Sequence, residues 1–444
     1  MVLLKRRSTF VSFTSLLSVE YAKVVRSCLF KSHRYSFSTK PTTTTTTTVV
    51  NRPPKYDLTS DTATQPTDEM FDIMKAASRG DDVFEDDTSV RELEFYVAKL
   101  LGKEAALFCA SGTMTNQLGL RLLLTQPPHS VLCDARSHVY LYECGGIAYH
   151  SQASVSPVMP KNNHHLTVND IASNLLTDPS HMPVTKVISL ENTLNGTIMP
   201  LNEIKRIYAF AQQHQLKLHL DGARLWNASQ ETGIPLHEYG QYFDTISLCL
   251  SKGVGAPIGS ILVSSKANIA RARHLRKMLG GGWRQAGCLA SAALHCIQHV
   301  VPTMKETHQL TRRLANVLVK QLGMQLSVPC ETNMIWLNAS GTTSTADSSS
   351  VCITLDELAR ELEKKSIRIP NCGDNTTETR LVLHYQITQS VVDAIVQATS
   401  DLMERKKGVI KGAIIFVAKD RDIDTAIGTE SIENVSSRRS RRTV

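Results

Sequence analysis

Ser247-Leu248-Cys249-Leu250-Ser251-Lys252-Gly253-Val254-Gly255-Ala256-Pro257-Ile258-Gly259-Ser260 is the stretch on which the reading of this chain turns. An apolar run from Thr245 to Leu250 delivers a single lysine into a turn of small residues, and a second apolar run, Ile258 to Val263, follows at once. A lysine at the end of a buried strand is unusual, because taking an ammonium out of water is costly or depresses its pKa. The glycines beyond it let another body approach the backbone closely. On these residues alone two readings stay open: an amine that forms an imine with an aldehyde cofactor, or a surface lysine in a strand–turn–strand hairpin.

Outward from this stretch the chain alternates. Ala105–Ala110 reads as a short strand that runs into Ser111-Gly112-Thr113, with a helical pattern over Met114–Leu124. A strand, a small-residue loop and a helix start together present backbone N–H groups to a phosphate. Ser130–Cys133 is a strand followed by His138, Tyr140 and Glu143; Lys186–Leu190 is a strand ending at Glu191-Asn192; Leu216–Leu220 is a strand ending at Asp221. Short apolar strands separated by helices such as Leu201–Gln213 predict an α/β fold with a mostly parallel sheet covered on both faces. In such sheets ligands lie beyond the carboxyl ends of the strands. Gly112, Thr113, His138, Glu191, Asp221 and Lys252 all fall there.

Earlier in the chain, Pro66 to Glu69 open a helix ending near Gly80, an acidic loop spans 80–87, and Thr88 caps a helix with Val90, Leu93 and Val97 on one face. Beyond Gly280-Gly281-Gly282-Trp283-Arg284-Gln285 an apolar helix covers about 286–301. The expected organisation is a transit peptide and linker over 1–52, a large domain over 53–302, a smaller C-terminal α/β domain over 303–404 and a loosely held basic tail over 405–444. The serine- and threonine-rich stretch 339–350 reads as a surface insertion.

The chain has 444 residues, 42% hydrophobic and 20% charged, which is ordinary for a globular enzyme. Its formal charge of +8 sits at the ends: residues 1–52 carry nine Lys/Arg against one acid, Glu20, and Arg438, Arg439, Arg441 and Arg442 lie near the C-terminus. With no basic stretch interleaved with aromatics, a nucleic-acid partner is not expected. Ten scattered cysteines without a Cys-x-x-Cys pair suit a reducing compartment. No unbroken apolar run is long enough to span a bilayer. The first ~50 residues, basic, serine-rich and nearly free of acids, have the composition of a mitochondrial transit peptide; a disordered basic tail on a cytoplasmic protein is the alternative. The threonine run 42–48 can build no core.

Asp221-Gly222-Ala223-Arg224 offers a carboxylate at a strand end and a guanidinium three residues later. Opposite a pyridine ring, such a carboxylate keeps the ring nitrogen protonated and the ring an electron sink, while His138 can stack on a ring face. Other templates fail. Gly253, Gly255 and Gly259 do not give G-x-G-x-x-G, and no P-loop appears. His295 and His299 are spaced for one helix face but lack a third ligand nearby, so no metal is expected.

The motifs Asp57-Leu58-Thr59-Ser60-Asp61-Thr62, Gly80-Asp81-Asp82, Cys109-Ala110-Ser111-Gly112-Thr113, Ser189-Leu190-Glu191-Asn192-Thr193, His219-Leu220-Asp221-Gly222-Ala223-Arg224, Leu250-Ser251-Lys252 and Gly280-Gly281-Gly282-Trp283-Arg284-Gln285 occur in order. Together they resemble the low-specificity L-threonine aldolases, pyridoxal-phosphate enzymes of the aspartate-aminotransferase fold (fold type I). The likeness spans about 56–300, thins to Arg380-Leu381-Val382-Leu383-His384, and is nearest the fungal branch through Gln126-Pro127-Pro128 and Glu191-Asn192-Thr193-Leu194. The resemblance implies aldol cleavage of L-threonine or L-allo-threonine to glycine and acetaldehyde. It gives Lys252 as the imine-forming lysine, Asp221 as the partner of the ring nitrogen, His138 stacked on the ring and Arg224 at the ring hydroxyl. Gly112 and Thr113 would hold the phosphate with Arg284 from a neighbouring subunit. Ser60, Lys277 and Arg380 would hold the substrate carboxylate, and Glu143 would join the proton-handling group. A homotetramer of dimers that share active sites is implied as well.

Three departures bear on substrate preference: Thr59 stands where arginine is usual, Phe84 where tyrosine is common, and Leu194 at a histidine position of bacterial members. Leucine offers neither donor nor acceptor, so Leu194 is expected to leave the two threonine diastereomers poorly separated. Two other readings stay open: a β-eliminating lyase of the same fold, told apart by pyruvate instead of acetaldehyde, and a catalytically silent scaffold whose basic ends bind an acidic partner.

Overall fold

The computed structural model describes residues 55–322, 324–338, 353–370 and 378–426. The segment read as a transit peptide, the insertion at 339–350 and residues 427–444 lie outside the described residues. The first strand, β1 (Tyr56–Asp57), stands apart from the seven that follow it: β2 (Ala105–Cys109), β3 (His129–Asp134), β4 (Ala153–Val158), β5 (Thr185–Glu191), β6 (Lys217–Asp221), β7 (Thr245–Cys249) and β8 (Ser260–Ser264). These seven form one sheet in the order β2-β8-β7-β6-β5-β3-β4. Every residue of β3, β7 and β8 is buried. Helices cover both faces, which is why these strands read as continuous apolar runs and not as alternating ones.

The expected mostly parallel sheet is present. β3–β4, β3–β5, β5–β6 and β6–β7 run parallel, and β8 alone is antiparallel to its neighbours β2 and β7. Lys252 therefore does sit in a strand–turn–strand hairpin, but a half-buried one. β2 runs in the same direction as β3, β5, β6 and β7, so the carboxyl ends of all five lie along one edge.

The helix Gly112–Leu123 fixes that edge. Its residues 112, 115, 116 and 119 recur at helical spacing and are small or polar, because this face lies against β6 and β7 and not against an apolar neighbour. Gly112 approaches β7 so closely that a Cβ there would stand 2.6 Å from Cys249 Sγ. Thr115 Oγ1 and Ser247 Oγ hydrogen-bond at 2.6 Å. At Gly119 a Cβ would meet the His219 ring at 2.8 Å. Close packing against the sheet, not backbone freedom, requires these two glycines.

A second core gathers Leu58, Leu314, Leu318, Ile335, Leu337, Leu358, Leu362, Leu381 and Val392. Around it stand the antiparallel strands β9 (Gln325–Leu326), β10 (Met334–Asn338) and β12 (Glu378–Val382) and the amphipathic helix Leu355–Glu363. β1 pairs in parallel with β11 (Ile367–Arg368), so the first described residues belong to this second core. The final helix, Gln389–Ala426, continues through residue 405, where the tail was expected to begin.

Two helix starts refine the sequence reading. Thr67 caps Asp68–Ala76, which ends before Gly80 because Ala77 turns extended. Asp87, not Thr88, caps Thr88–Leu100; its other oxygen accepts the Gly287 N–H at 2.6 Å, tying this loop to the helix Gly287–His299.

Candidate active site

At the N-terminus of the helix Gly112–Leu123, Ser111 caps by accepting the Met114 N–H. The amides of Gly112 and Thr113 have no carbonyl within the helix to bond, so they are free to meet an anion. One turn on, Asn116 reaches the carboxyl end of β6. Its Nδ2 donates to Asp221 Oδ2 at 2.8 Å and to Glu143 Oε1 at 2.8 Å. Asp221 is buried, and its other oxygen accepts the Ala223 N–H at 3.0 Å.

Glu143 is fully enclosed by donors. Gln117 Nε2 binds Oε2 at 2.6 Å, and His138 Nδ1 joins Asn116 at Oε1, 2.9 Å away. The Glu143 carboxyl group accepts from Nδ1–H, so Nε2 is the ring nitrogen left to exchange a proton with the cleft. The His138 side chain is 37% exposed and that of Glu143 0%, so the imidazole, not the carboxylate, meets the cleft. His138, Glu143 and Asp221 bring ligand atoms within 4.8 Å of one another, but the Asn116 amide donates to both carboxylates there. His295 and His299 lie with ring centroids 4.5 Å apart and form no three-ligand group among the described residues.

Glu191, at the end of β5, accepts the backbone N–H of His138 at 2.7 Å. Burial, and then the charge of Asp221, pushes its carboxyl well above the usual carboxylate range. Three residues past Asp221, Arg224 makes a bidentate pair with Asp61, at 2.8 and 2.7 Å, and Asn333 Nδ2 adds a bond to Asp61 Oδ2 at 3.2 Å. Burial alone would raise the Asp61 carboxyl; Arg224, with Lys252 and Asn333, outweighs it and holds the group down at about 2. Arg380 lies over the Trp336 ring, 5.7 Å from its centroid. Burial and the neighbouring charge of Arg224 lower its proton affinity, and it has no carboxylate partner among the described residues. Trp336 in turn donates Nε1–H to Asn195 O at 2.9 Å.

His138, Tyr142, Glu191, Arg224, Trp336 and Arg380 enclose a cleft of about 540 Å³ between the two cores. Lys252 lies beside this group, with its charge acting on both Asp61 and Glu191. No ion pair or side-chain hydrogen bond holds its Nζ among the described residues. The edge thus brings together Gly112, Thr113, His138, Glu143, Asp221, Arg224 and Lys252, with Arg380 facing them. Ser60 caps the short turn Asp61–Ala63, next to cleft-lining Thr59. Lys277 and Arg284 are not brought in: Lys277 is exposed beside Gly282, and Arg284 is exposed and paired with Asp81 at 2.9 Å.

Leu194 corrects an expectation. It is 6% exposed and borders a separate small void with Leu166, Leu190 and Met199, while Asn195 lines the cleft. A leucine placed there fills the interior and leaves recognition of a substrate hydroxyl to other residues.

A model of the beta-eliminating lyase family matches residues 57–340. The chain belongs to that family. Among similar proteins, this lyase is 44% identical to the probable low-specificity L-threonine aldolase of Schizosaccharomyces pombe over 80% of its own length and 89% of that protein. It is 41% identical to the low-specificity L-threonine aldolase of Saccharomyces cerevisiae, over 80% and 89%. The structure of Leishmania major threonine aldolase superposes with a TM-score of 0.66 at 20% identity, over 78% of the lyase and 99% of that chain. The fold is that of the type I pyridoxal-phosphate enzymes. The sequence reading gave no role to Asp61, Asn116, His219 or Trp336. Asn116 was findable from the small and polar residues at helical spacing; Trp336 carried no local signal.

Proposed function

We propose that this lyase uses pyridoxal 5′-phosphate to cleave L-threonine and L-allo-threonine into glycine and acetaldehyde. The observation that carries the proposal is Lys252: a half-buried amine without an acidic partner among the described residues, on the edge that also holds Asp221 and free helix amides. Those groups fit the cofactor. The Gly112 and Thr113 amides and the helix N-terminus suit its phosphate, in a place where only glycine clears Cys249. Asp221 suits the ring nitrogen, His138 a ring face, and Arg224, already fixed by Asp61, the ring hydroxyl. When bound, pyridoxal phosphate supplies an aldehyde for amines and a protonated ring that accepts the electron pair of a broken Cα–Cβ bond.

The chain's own residues do the rest. Arg380, a cation beside a second cation, Arg224, gains from receiving a carboxylate, and Trp336 holds its guanidinium flat. Ser60 adds a hydroxyl to this carboxylate site. Asp221, oriented by two donors, Asn116 Nδ2 and the Ala223 N–H, holds the proton on the ring nitrogen. His138 Nε2 is the exposed acceptor for the substrate hydroxyl proton, and Glu143 receives Nδ1–H and stabilises the resulting imidazolium. Lys252 holds and releases the cofactor and takes up protons between turnovers. The test is a product assay on both diastereomers with purified, cofactor-loaded protein. Glycine and acetaldehyde in equal amounts are expected; an oxo acid in place of the aldehyde would establish β-elimination instead.

The assembly that fits this site is a homotetramer in which Arg284 serves the phosphate of a neighbouring subunit's site. Supporting it are the outward-facing Phe71, Phe84, Phe95 and Met278, 56 to 72% exposed. Sedimentation as a monomer would refute it. Residues 1–52 are read as a mitochondrial targeting segment, and a reporter fused to them that stays cytosolic would refute that.

A further inference from the structure

The mechanism leaves one buried side chain unexplained: Asn116, which lies between the carboxyl groups of Asp221 and Glu143 and divides its two amide hydrogens between them. Its orientation is not free. Asn116 Oδ1 pairs with His219 Nε2 at 3.1 Å, and His219 Nδ1 with Thr245 Oγ1 at 2.9 Å. Burial holds the His219 imidazole down at about 4. It is therefore neutral, with Nε2–H donating to Asn116 and Nδ1 accepting from the threonine. The ring fits over Gly119, where a Cβ would strike it.

We infer that Asn116 is a positioning residue, locked by the Thr245–His219 chain, that couples Asp221 to the Glu143–His138 pair and fixes the Asp221 carboxyl toward the cofactor ring. The inference rests on the proposed placement of Asp221 at the cofactor ring. Other charged or titratable groups facing Asp221 are Glu191 on β5, Cys249 on β7, and Lys252 and Arg224 beyond the strand ends. None of them donates a hydrogen bond to its oxygens among the described residues. The helix Gly112–Leu123 thus serves both ends of the cofactor: its first amides at the phosphate and, one turn later, Asn116 behind the ring nitrogen.

Removing the amide takes a hydrogen bond from each carboxyl group and loosens the hold of Asp221 on the ring nitrogen. In full-length, cofactor-loaded Asn116→Ala, kcat is expected to fall about tenfold to a hundredfold, the range seen when the partners of site ligands are removed, with KM changed less than about threefold. The pH midpoint of the cofactor absorbance should move up by about one unit. His219→Phe should move the midpoint in the same direction. His219→Gln, whose amide can occupy the Nε2–H position, should recover most of that shift. Midpoints unchanged from wild type in Asn116→Ala and in His219→Phe would overturn the inference. If Asn116→Ala does not fold, the two His219 variants decide alone. Asp221→Ala separates the levels. An unaltered spectrum there refutes the placement at the ring, whereas an altered spectrum with Asn116→Ala unaltered refutes only the role of Asn116.

Discussion

Lys252→Ala is expected to lose turnover by at least about a thousandfold, the scale on which enzymes respond to loss of the residue that bonds covalently. Stability should change little, within about 0.5 kcal/mol, because the Lys252 ammonium holds no ion pair or hydrogen bond to another described residue. That combination is the point of the experiment. A lysine kept for structure would show the reverse, a folding defect with partial activity. Borohydride treatment should leave the cofactor covalently attached to the wild-type chain and not to the variant. Glycine release by the variant near the wild-type rate would remove Lys252 from the chemistry altogether.

The second large effect is at Asp61. Asp61→Asn takes the charge from a buried bidentate pair and leaves Arg224, with a side chain 11% exposed, without its counter-ion. Stranding one partner of a buried pair costs about 3 kcal/mol or more, so urea unfolding at pH 7 should show a loss of that order. The pH dependence gives an independent check. The carboxyl lies near 3.8 when unfolded and is held at about 2 in the fold. A depressed pKa stabilises above the unfolded value and ceases to do so as pH falls through the folded one. About 2 kcal/mol of wild-type stability should therefore be present at pH 5 and lost toward pH 2, and the gap between wild type and variant should close by that amount. A gap that stays constant with pH would mean that the pair contributes nothing through its charge.

Much of the large sheet was legible because its strands are short, rich in apolar residues and followed closely by single charged residues. Asp221 and Lys252 each stand at such an ending, and the parallel arrangement brings them to one edge. The hydrogen bonds behind that edge were not legible. Asn116 and Glu143 are separated by 27 residues, and Asn116 and His219 by 103; no local periodicity encodes those distances. The opposite wall was harder still. Arg380 was found only through the resemblance, and Trp336 and Asn333 not at all, since Trp336 lies on a short strand, β10, whose pattern gives no register, and Asn333 just precedes it. Leu194 shows the opposite error. Its place after Glu191-Asn192-Thr193 suggested contact with substrate, but the chain turns at Asn195 and the leucine fills the interior.

The strap formed by Tyr56, Asp57 and Leu58 bears on the order in which the protein is made. Leu58 N–H donates to Arg368 O and Leu58 O accepts from Val382 N, while Asp57 O pairs with His384 Nε2 across 327 residues of chain. Asp61, three residues past the strap, meets Asn333 across 272 residues. A ribosome adding about 5–20 residues per second delivers the parallel sheet, Lys252 included, several seconds before β12 exists. During that interval residues 56–58 have no strands to pair with, and Asp61 lacks its Asn333 contact. The half of the cleft that carries Lys252 and Asp221 can thus form early, while the half that carries Arg380 closes only when residues 56–58 meet β11 and β12.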